Sequence, residues 1–408
     1  MNIKNIADNT YLLSVDIDNI LFEGLWEMPN GVALNSYIIK GEKTAIIDGV
    51  CGWDGIPENL YVLLDELDID PLSIEYLIIN HMEPDHSGWI EDFRKINSNF
   101  KIICSEKGKD LLEAFYGNTQ EVQCVKDGDT IDLGKGHILT FAEIPNVHWP
   151  DTIATLDTST GVLFTCDAFG AFGKNGKIKF GEELTKKQMI EFDKEAVRYY
   201  SNIVAAFSMQ TLRAIDKCEK LPVKMIAPGH GLLWNNPETI INLYKDYANY
   251  QKGPARREIT IIWGSMYGMT EKAVNHIITV LEEDDEDFKY NIHRVPEDSW
   301  GTVLASAWVS TGIILAMPTY EYKMFPPMAA VLDELGRKKV QGRKAFRLGS
   351  YGWSGGAQKE LDEIMDRHRM NWEFIEPVEF KGSPREEDIQ LIGDRVKLLV
   401  KQVKEAII

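Results

Sequence analysis

Two α/β halves of different wiring are predicted for this chain: a first half of two sheets covered by helices, then a doubly wound parallel sheet. Three observations predict them. The chain has 408 residues, more than one ordinary core sustains, and this points to two domains or more. Before residue 251 strands come in runs with helices before and after, which suits two covered sheets. After residue 257 strand and helix patterns alternate, the signature of a parallel sheet with crossover helices. The halves meet at Gln251-Lys252-Gly253-Pro254-Ala255-Arg256-Arg257. This places a first domain at 1–252, a linker at 253–257 and a second domain at 258–408.

The elements follow in order. Tyr11–Val15, Ser36–Ile39 and Thr44–Gly49 are expected as early strands, with a helix over Asn59–Leu67. Tyr76–Ile79 is a short apolar run expected as a buried strand. Lys101–Cys104 is expected as a strand and Gly108–Phe115 as a helix. Strands are then expected at Thr130–Leu133, His137–Ile144, Ile153–Asp157 and Val162–Cys166. A long helical region covers roughly 187–218, and the strand Lys224–Ala227 leads into Pro228-Gly229-His230-Gly231. In the second half Glu258–Trp263 is expected as a buried parallel strand, with a helix from Glu271. Further strands are expected at Tyr290–Val295, Gly312–Met317, Lys344–Ser350 and Glu373–Phe380, and a last helix from Glu386 to about Ala406.

Composition narrows the function. The chain is 44% hydrophobic and 26% charged, an ordinary globular balance. Its net charge of −19 argues against nucleic acid and anionic membrane as partners. No apolar run approaches a bilayer span, and MNIKNIADNT lacks a signal-peptide core. The expected location is the cytoplasm. Cys51, Cys104, Cys124, Cys166 and Cys218 are odd in number and form no CxxC pair. Buried reduced thiols are expected, not a disulfide framework, a zinc knuckle or a fused rubredoxin-type iron site. The acidic run Glu282–Asp287 reads as a solvated helix end and turn.

The chemistry concentrates at His81-Met82-Glu83-Pro84-Asp85-His86, a loop expected at the carboxyl end of the strand Tyr76–Ile79. His81, Glu83, Asp85 and His86 can all bind metal. Imidazole with carboxylate suits iron, zinc or manganese better than calcium or magnesium. His148 and Asp167 also follow strands, as does His230. A lone histidine in such a place usually only donates a hydrogen bond. Four of the five histidines before residue 251 at strand exits, with three acids, favour a metal site; only His137 is elsewhere.

In the second half Gly264 to Thr270 runs from the first strand into a helix. A loop of this kind, with hydroxyls and glycine, turns backbone N–H groups and a positive helix end toward a phosphate. It is not a Walker A loop, and it lacks the G-x-G-x-x-G of dinucleotide binders. Pro318-Thr319-Tyr320-Glu321 and Tyr351-Gly352-Trp353-Ser354-Gly355-Gly356 follow later strands and combine aromatics with small polar groups, as a flat ring needs.

These motifs resemble a known family. His-x-Glu-x-Asp-His over residues 81–86, then His148 in HWPD, Asp167 in CDAF and His230, is similar to the metallo-β-lactamase superfamily. Glu83, where the hydrolases of that fold usually carry histidine, resembles the flavodiiron proteins. The second half resembles flavodoxin. The resemblance implies a metallo-β-lactamase-like αββα sandwich followed by a flavodoxin-like, five-stranded doubly wound parallel sheet. It implies one iron held by His81, Glu83 and His148, another by Asp85, His86 and His230, and Asp167 bridging them. In some members the residue matching His86 is not a ligand. It also implies FMN, with Ser265, Met266, Tyr267, Gly268, Met269 and Thr270 matching the phosphate loop and the two later loops flanking the ring. The implied activity is reduction of dioxygen to water, of nitric oxide to nitrous oxide, or both. Electrons would come from an external donor such as rubredoxin or a reduced deazaflavin, in a head-to-tail homodimer or a dimer of dimers. Trp149, Trp26 and Tyr37 are unranked candidates for gas selectivity. A zinc hydrolase of the lactamase fold and a pure electron-transfer flavoprotein are the alternative functions.

Overall fold

The structure, a computed structural model, describes residues 2–49, 58–117, 119–283 and 288–406. Cys51 and the acidic residues 284–287 lie outside the described residues. The chain divides into two units, Met1–Tyr200 with Phe207–Lys245, and Ser201–Ala206 with Asp246–Ile408.

Alternation of apolar side chains builds the first unit. Its first sheet has the strand order Asn2–Ala7, Thr10–Ile17, Val32–Lys40, Thr44–Ile47, Ile74–Ile78, Lys101–Cys104, Val122–Cys124. It is antiparallel up to Thr44–Ile47 and parallel beyond. Leu12, Tyr37, Ile39, Ala45, Ile47, Ile78 and Ile103 face the second sheet. Their chain neighbours Leu13, Ile38, Ile46, Leu77 and Ile102 point the other way, into a cluster with Leu60, Leu63, Phe93 and Leu112 of the covering helices. The period of two along each strand places one set in each layer. Each fully buried Leu, Ile or Phe contributes about 1.5–3 kcal/mol. The second sheet runs Thr130–Gly134, His137–Glu143, Ile153–Asp157, Val162–Cys166, Met225–Pro228. Only the last pair is parallel. The helices Lys186–Tyr199, Ser208–Cys218 and Pro237–Asn249 complete a helix–sheet–sheet–helix sandwich.

The second unit is a parallel sheet ordered Lys289–Arg294, Arg256–Trp263, Ser310–Ala316, Lys344–Tyr351 and a fifth position. This is the flavodoxin-like order 2-1-3-4-5. One face buries Ile259, Ile261, Ile314 and Phe346 against Val274 and Ile277 of Met269–Glu282 and Val396 and Leu399 of Glu386–Ala406.

Local departures from expectation have identifiable causes. The fifth strand, expected over 373–380, is split into Glu373–Phe374 and Val378–Lys381, both on Lys344–Tyr351. Pro377 falls in the gap and has no N–H for the ladder. The segment 81–86 is not all loop. Pro84–Ser87 forms one helical turn with Pro84 at its start, where the missing N–H is not needed. The expected helix over 187–218 is interrupted by a π turn at Tyr200–Val204 and a 3-10 turn at Ala205–Phe207. Carbonyls there accept from side chains instead: Asn202 from Lys338 Nζ, Ala205 from Gln251 Nε2 and Ala206 from Lys339 Nζ. The flanking helix begins at Met269, not Glu271. The strands Asn2–Ala7 and Val122–Cys124 and the helix Pro237–Asn249 were not expected. Cys104, Cys124, Cys166 and Cys218 are free thiols, buried except for half-buried Cys124.

The stretch 253–257 lies inside the second unit, where Arg256 already begins a strand. Arg343, fully buried, anchors the residues just before it. Its guanidinium donates to the carbonyls of Tyr250 (2.8 Å), Trp308 (2.9 Å), Ala307 (3.4 Å) and Gln341. Arg343→Ala leaves these carbonyls without their donor and is expected to destabilise the second unit by roughly 3 kcal/mol in urea unfolding. Arg343→Lys restores little of it, because one ammonium cannot span the fork.

Candidate metal centre

Seven ionisable side chains meet where strands of both sheets end. His81 follows Ile74–Ile78, Asp167 follows Val162–Cys166 directly, and His230 follows Met225–Pro228. His148 comes from the turn after His137–Glu143, and Asp85 and His86 from the helical turn at Pro84. His81, Glu83, His148 and Asp167 form one group whose potential ligand atoms lie within 4.8 Å of one another, and Asp85, His86 and His230 form a second. All seven are buried.

Asp167, a member of the first group, also reaches two histidines of the second. Its Oδ2 lies 3.0 Å from His148 Nε2 and 3.5 Å from His81 Nε2. Its Oδ1 lies 2.9 Å from His86 Nε2 and 3.1 Å from His230 Nε2. Glu83 Oε2 completes the first group, 3.2 Å from His81 and 3.1 Å from His148. Asp85 Oδ2 completes the second, 3.3 Å from His230. The contacts of Asp167 Oδ2 and of His230 Nε2 lack hydrogen-bond alignment although both atoms are buried. Such atoms converge on shared points rather than on each other, as metal ligands do. A mixed imidazole and carboxylate set in two groups sharing one carboxylate fits a pair of iron ions.

The protonation of the cluster follows from burial against mutual attraction. Burial alone lowers a histidine, but the carboxylate of Asp167, close by with that of Glu83 or Asp85, pushes His148 up to about 9 and His230 up to about 10. Burial would raise the acids, yet His148 and His81 hold Glu83 at about 2 and the histidines hold Asp167 well below the carboxylate range. A metal must displace these protons to bind.

The surroundings orient the ligands. Asp151 Oδ1 faces His81 Nδ1 at 3.3 Å while its Oδ2 accepts from Met82 N at 2.7 Å, fixing which ring nitrogen points inward. Asp48 accepts from Asn80 N and Nδ2 just before His81. Gly229 is required, since a Cβ there would sit 2.9 Å from His86 Cε1. Sequence reasoning gave Asp151 no role, although it closes the HWPD motif; Asp48 carried no comparable signal. His137, the histidine away from a strand exit, pairs with Asp157 at 2.9 Å. Of the selectivity candidates, Trp149 packs on the cluster, its ring 4.9 Å from His81. Tyr37 is tied to Pro228 O between the sheets, and Trp26 donates to Glu23.

In the second unit a cleft of about 390 Å³ is lined by Met266, Tyr267, Met269, Pro318, Thr319, Tyr320, Glu321, Tyr351, Gly352 and Trp353. The three expected loops thus share one cleft, with Ser350 and Gly382 added. Gly268, at φ 82°, caps the helix Met269–Glu282 and donates to Ser265 Oγ at 2.9 Å. Thr270 is buried and bonded to Ser350 Oγ. Ser265, Gly268, Thr270, Ser354, Gly355 and Gly356 do not line the cleft. Trp353, at 74% exposure, and Tyr320 offer uncovered faces to a flat ring.

Fold and site together define a metallo-β-lactamase-like domain followed by a flavodoxin-like one. A family model described as ODP family beta lactamase matches residues 32–231. Anaerobic nitric oxide reductase flavorubredoxins from Vibrio vulnificus and Aliivibrio salmonicida are 34% and 31% identical over 81% and 92% of this chain. The chain spans 66% and 74% of their lengths, so about two thirds of the first. The rubredoxin oxygen:oxidoreductase of Desulfovibrio gigas is 25% identical with a TM-score of 0.91, covering 99% of each chain. A flavodiiron protein from Thermotoga maritima is 29% identical with a TM-score of 0.88, covering 98% of each chain. The chain belongs to the flavodiiron protein family.

Metal content tests the sharing of Asp167. Asp167→Asn is expected to lower iron at both positions, whereas Glu83→Gln, which touches one group, lowers it at one. Elemental analysis of purified protein made with iron reads both.

Proposed function

We propose that this protein reduces dioxygen, nitric oxide or both at a diiron centre, with electrons delivered through FMN from an external donor. One observation carries the reading: Asp167 turns one oxygen to each of two histidine and carboxylate groups, in a chain that also carries a cleft suited to a flavin. The names of its relatives, a nitric oxide reductase and an oxygen oxidoreductase, support the choice of gases. His81, Glu83 and His148 would hold one iron, Asp85, His86 and His230 the other, and Asp167 both. A bound iron pair with flavin supplies the several electrons that either gas needs. The chain's own groups do the rest. Asp151 keeps the His81 ring in one orientation. Glu83, whose side chain is the most exposed of the seven at 11%, marks the side from which water and protons reach the site.

FMN is the flavin proposed for the cleft, with its phosphate at the Ser265–Thr270 loop, where the free N–H groups of a helix start. Trp353 and Tyr320 would flank the ring. No helix among the described residues is long and apolar enough to cross a membrane, and the described thiols are free, which supports a cytoplasmic setting. The donor is proposed to be rubredoxin or a reduced deazaflavin. A head-to-tail homodimer, alone or paired as a dimer of dimers, would set the flavin of one subunit beside the iron centre of the other.

Steady-state consumption of each gas by the reduced, iron- and FMN-loaded protein tests the reading, and consumption of neither overturns it. Trp353→Ala is expected to weaken FMN binding roughly tenfold by removing an aromatic face, read by flavin fluorescence titration. For the dimer, His81→Ala/His148→Ala protein mixed with a variant altered at Ser265 and Thr270 is expected to regain part of the activity after subunit exchange. If both fold and exchange yet the mixture stays inactive, electrons pass within one chain.

A further inference from the structure

Two of the free thiols stand side by side at the edge of the first sheet. Cys104 ends the strand Lys101–Cys104, Cys124 ends the outermost strand Val122–Cys124, and the two are direct partners in the parallel ladder. Paired residues of neighbouring strands turn their side chains to the same face, and the strands lie about 4.7–4.9 Å apart. A disulfide joins Cα atoms roughly 4.4–6.8 Å apart, so the pair is within bridging range. Cys104 is buried, and Gly108 leaves it room: a Cβ there would sit 3.0 Å from its Cβ and 3.4 Å from its Sγ. Cys124 is half-buried on a strand of three residues. So short an edge strand can shift to close a bond. Burial holds both thiols above their ordinary range, helped at Cys124 by the Glu106 carboxylate, so both stay protonated and exchange slowly.

The pair is tied to the metal centre on both sides of Cys104. Ser105, the next residue, caps the helix Glu106–Tyr116. Its Oγ accepts from Gly108 N at 3.0 Å and donates to the carbonyl of Asp151 at 2.7 Å. Asp151 is the residue whose carboxylate faces His81 Nδ1 and accepts from Met82 N. Ile103, the residue before Cys104, accepts from Ile79 N at 2.9 Å, two residues ahead of His81. Drawing Cys104 toward Cys124 pulls on both connections.

We propose that Cys104 and Cys124 are a reversible redox pair that reacts with small-molecule disulfides and, when bridged, loosens the hold of Asp151 on His81. Cys124 attacks one sulfur of the small disulfide, and the departing small thiol takes its proton. Cys104 then attacks the Cys124 sulfur, and the second small thiol departs with the Cys104 proton. Two protein thiols are oxidised to one disulfide while one small disulfide is reduced to two thiols.

The test equilibrates full-length, iron- and FMN-loaded protein with oxidised glutathione without oxygen. Alkylation and peptide mass analysis are expected to show a Cys104–Cys124 cross-link, lighter by two hydrogens and reversed by a phosphine reductant. Cys124→Ser and Cys104→Ala are each expected to give none, and either one that folds serves as the control. Iron transfer to a chelator is expected to be roughly tenfold faster in the bridged wild type than after reduction, because an outer partner of a ligand has moved. The same treatment leaves iron release from the folded control unchanged. Thiols that stay reduced, or glutathione that stays on Cys124, overturn the pair. A cross-link that leaves iron release unchanged overturns the link to His81. The iron arm rests on the diiron reading. Failure to take up iron overturns that reading and the link to His81 with it, while the cross-link still decides the thiol pair.

Discussion

The buried carboxylate of Asp167 is the constraint on which the first unit depends. A charge taken out of water is tolerated only where opposite charge and hydrogen bonds surround it. Asp167 is fully buried and has four imidazoles within 3.5 Å. Those imidazoles come from both sheets, so the sheets must end in register. Asn35 enforces this from the first sheet: its amide donates to the carbonyls of Pro228 and Gly231 on either side of His230. Tyr37 adds a bond to the same Pro228 carbonyl at 2.6 Å. The apolar layer between the sheets and the polar cluster at its edge are thus one piece of architecture.

The second unit solves a different problem. Among the described residues no cluster of buried charge lines its cleft. It is shaped by loops leaving parallel strands, where helix starts and aromatic faces converge. What must be rigid there is the sheet, and Arg343 ties the entering chain to it through carbonyls alone. The segment Ser201–Ala206 is also held by this unit, through Lys338, Lys339 and Gln251, although its flanking helices belong to the first. Its loss of regular helix is therefore tertiary in origin: the carbonyls found partners other than the next turn.

Much of this was legible in the chain because the informative patterns are local. Strands such as Lys101–Cys104, Ile153–Asp157 and Val162–Cys166 were bounded correctly from short apolar runs ended by turn residues. The metal-capable residues could be chosen because histidines and acids at strand exits have a narrow range of uses. Less legible were features with weak local signals. The edge strand Val122–Cys124 is short, and no apolar run marks it. The turn at Pro84–Ser87 hides in a sequence that reads as loop.

The sequence by itself determined the two halves, the strand-and-helix order, the candidate ligands and the three loops, since each depends on residue type and spacing along the chain. Only the tertiary structure decided how they are shared. That Asp167 gives one oxygen to each group depends on distances between residues up to 86 positions apart by number, from His81 to Asp167. That Asp151 orients His81, that Phe22 covers His230, and that the helix breaks after Tyr199 are facts of the same kind. Each is a contact between segments from different parts of the fold, and residue type alone does not say which segments will meet.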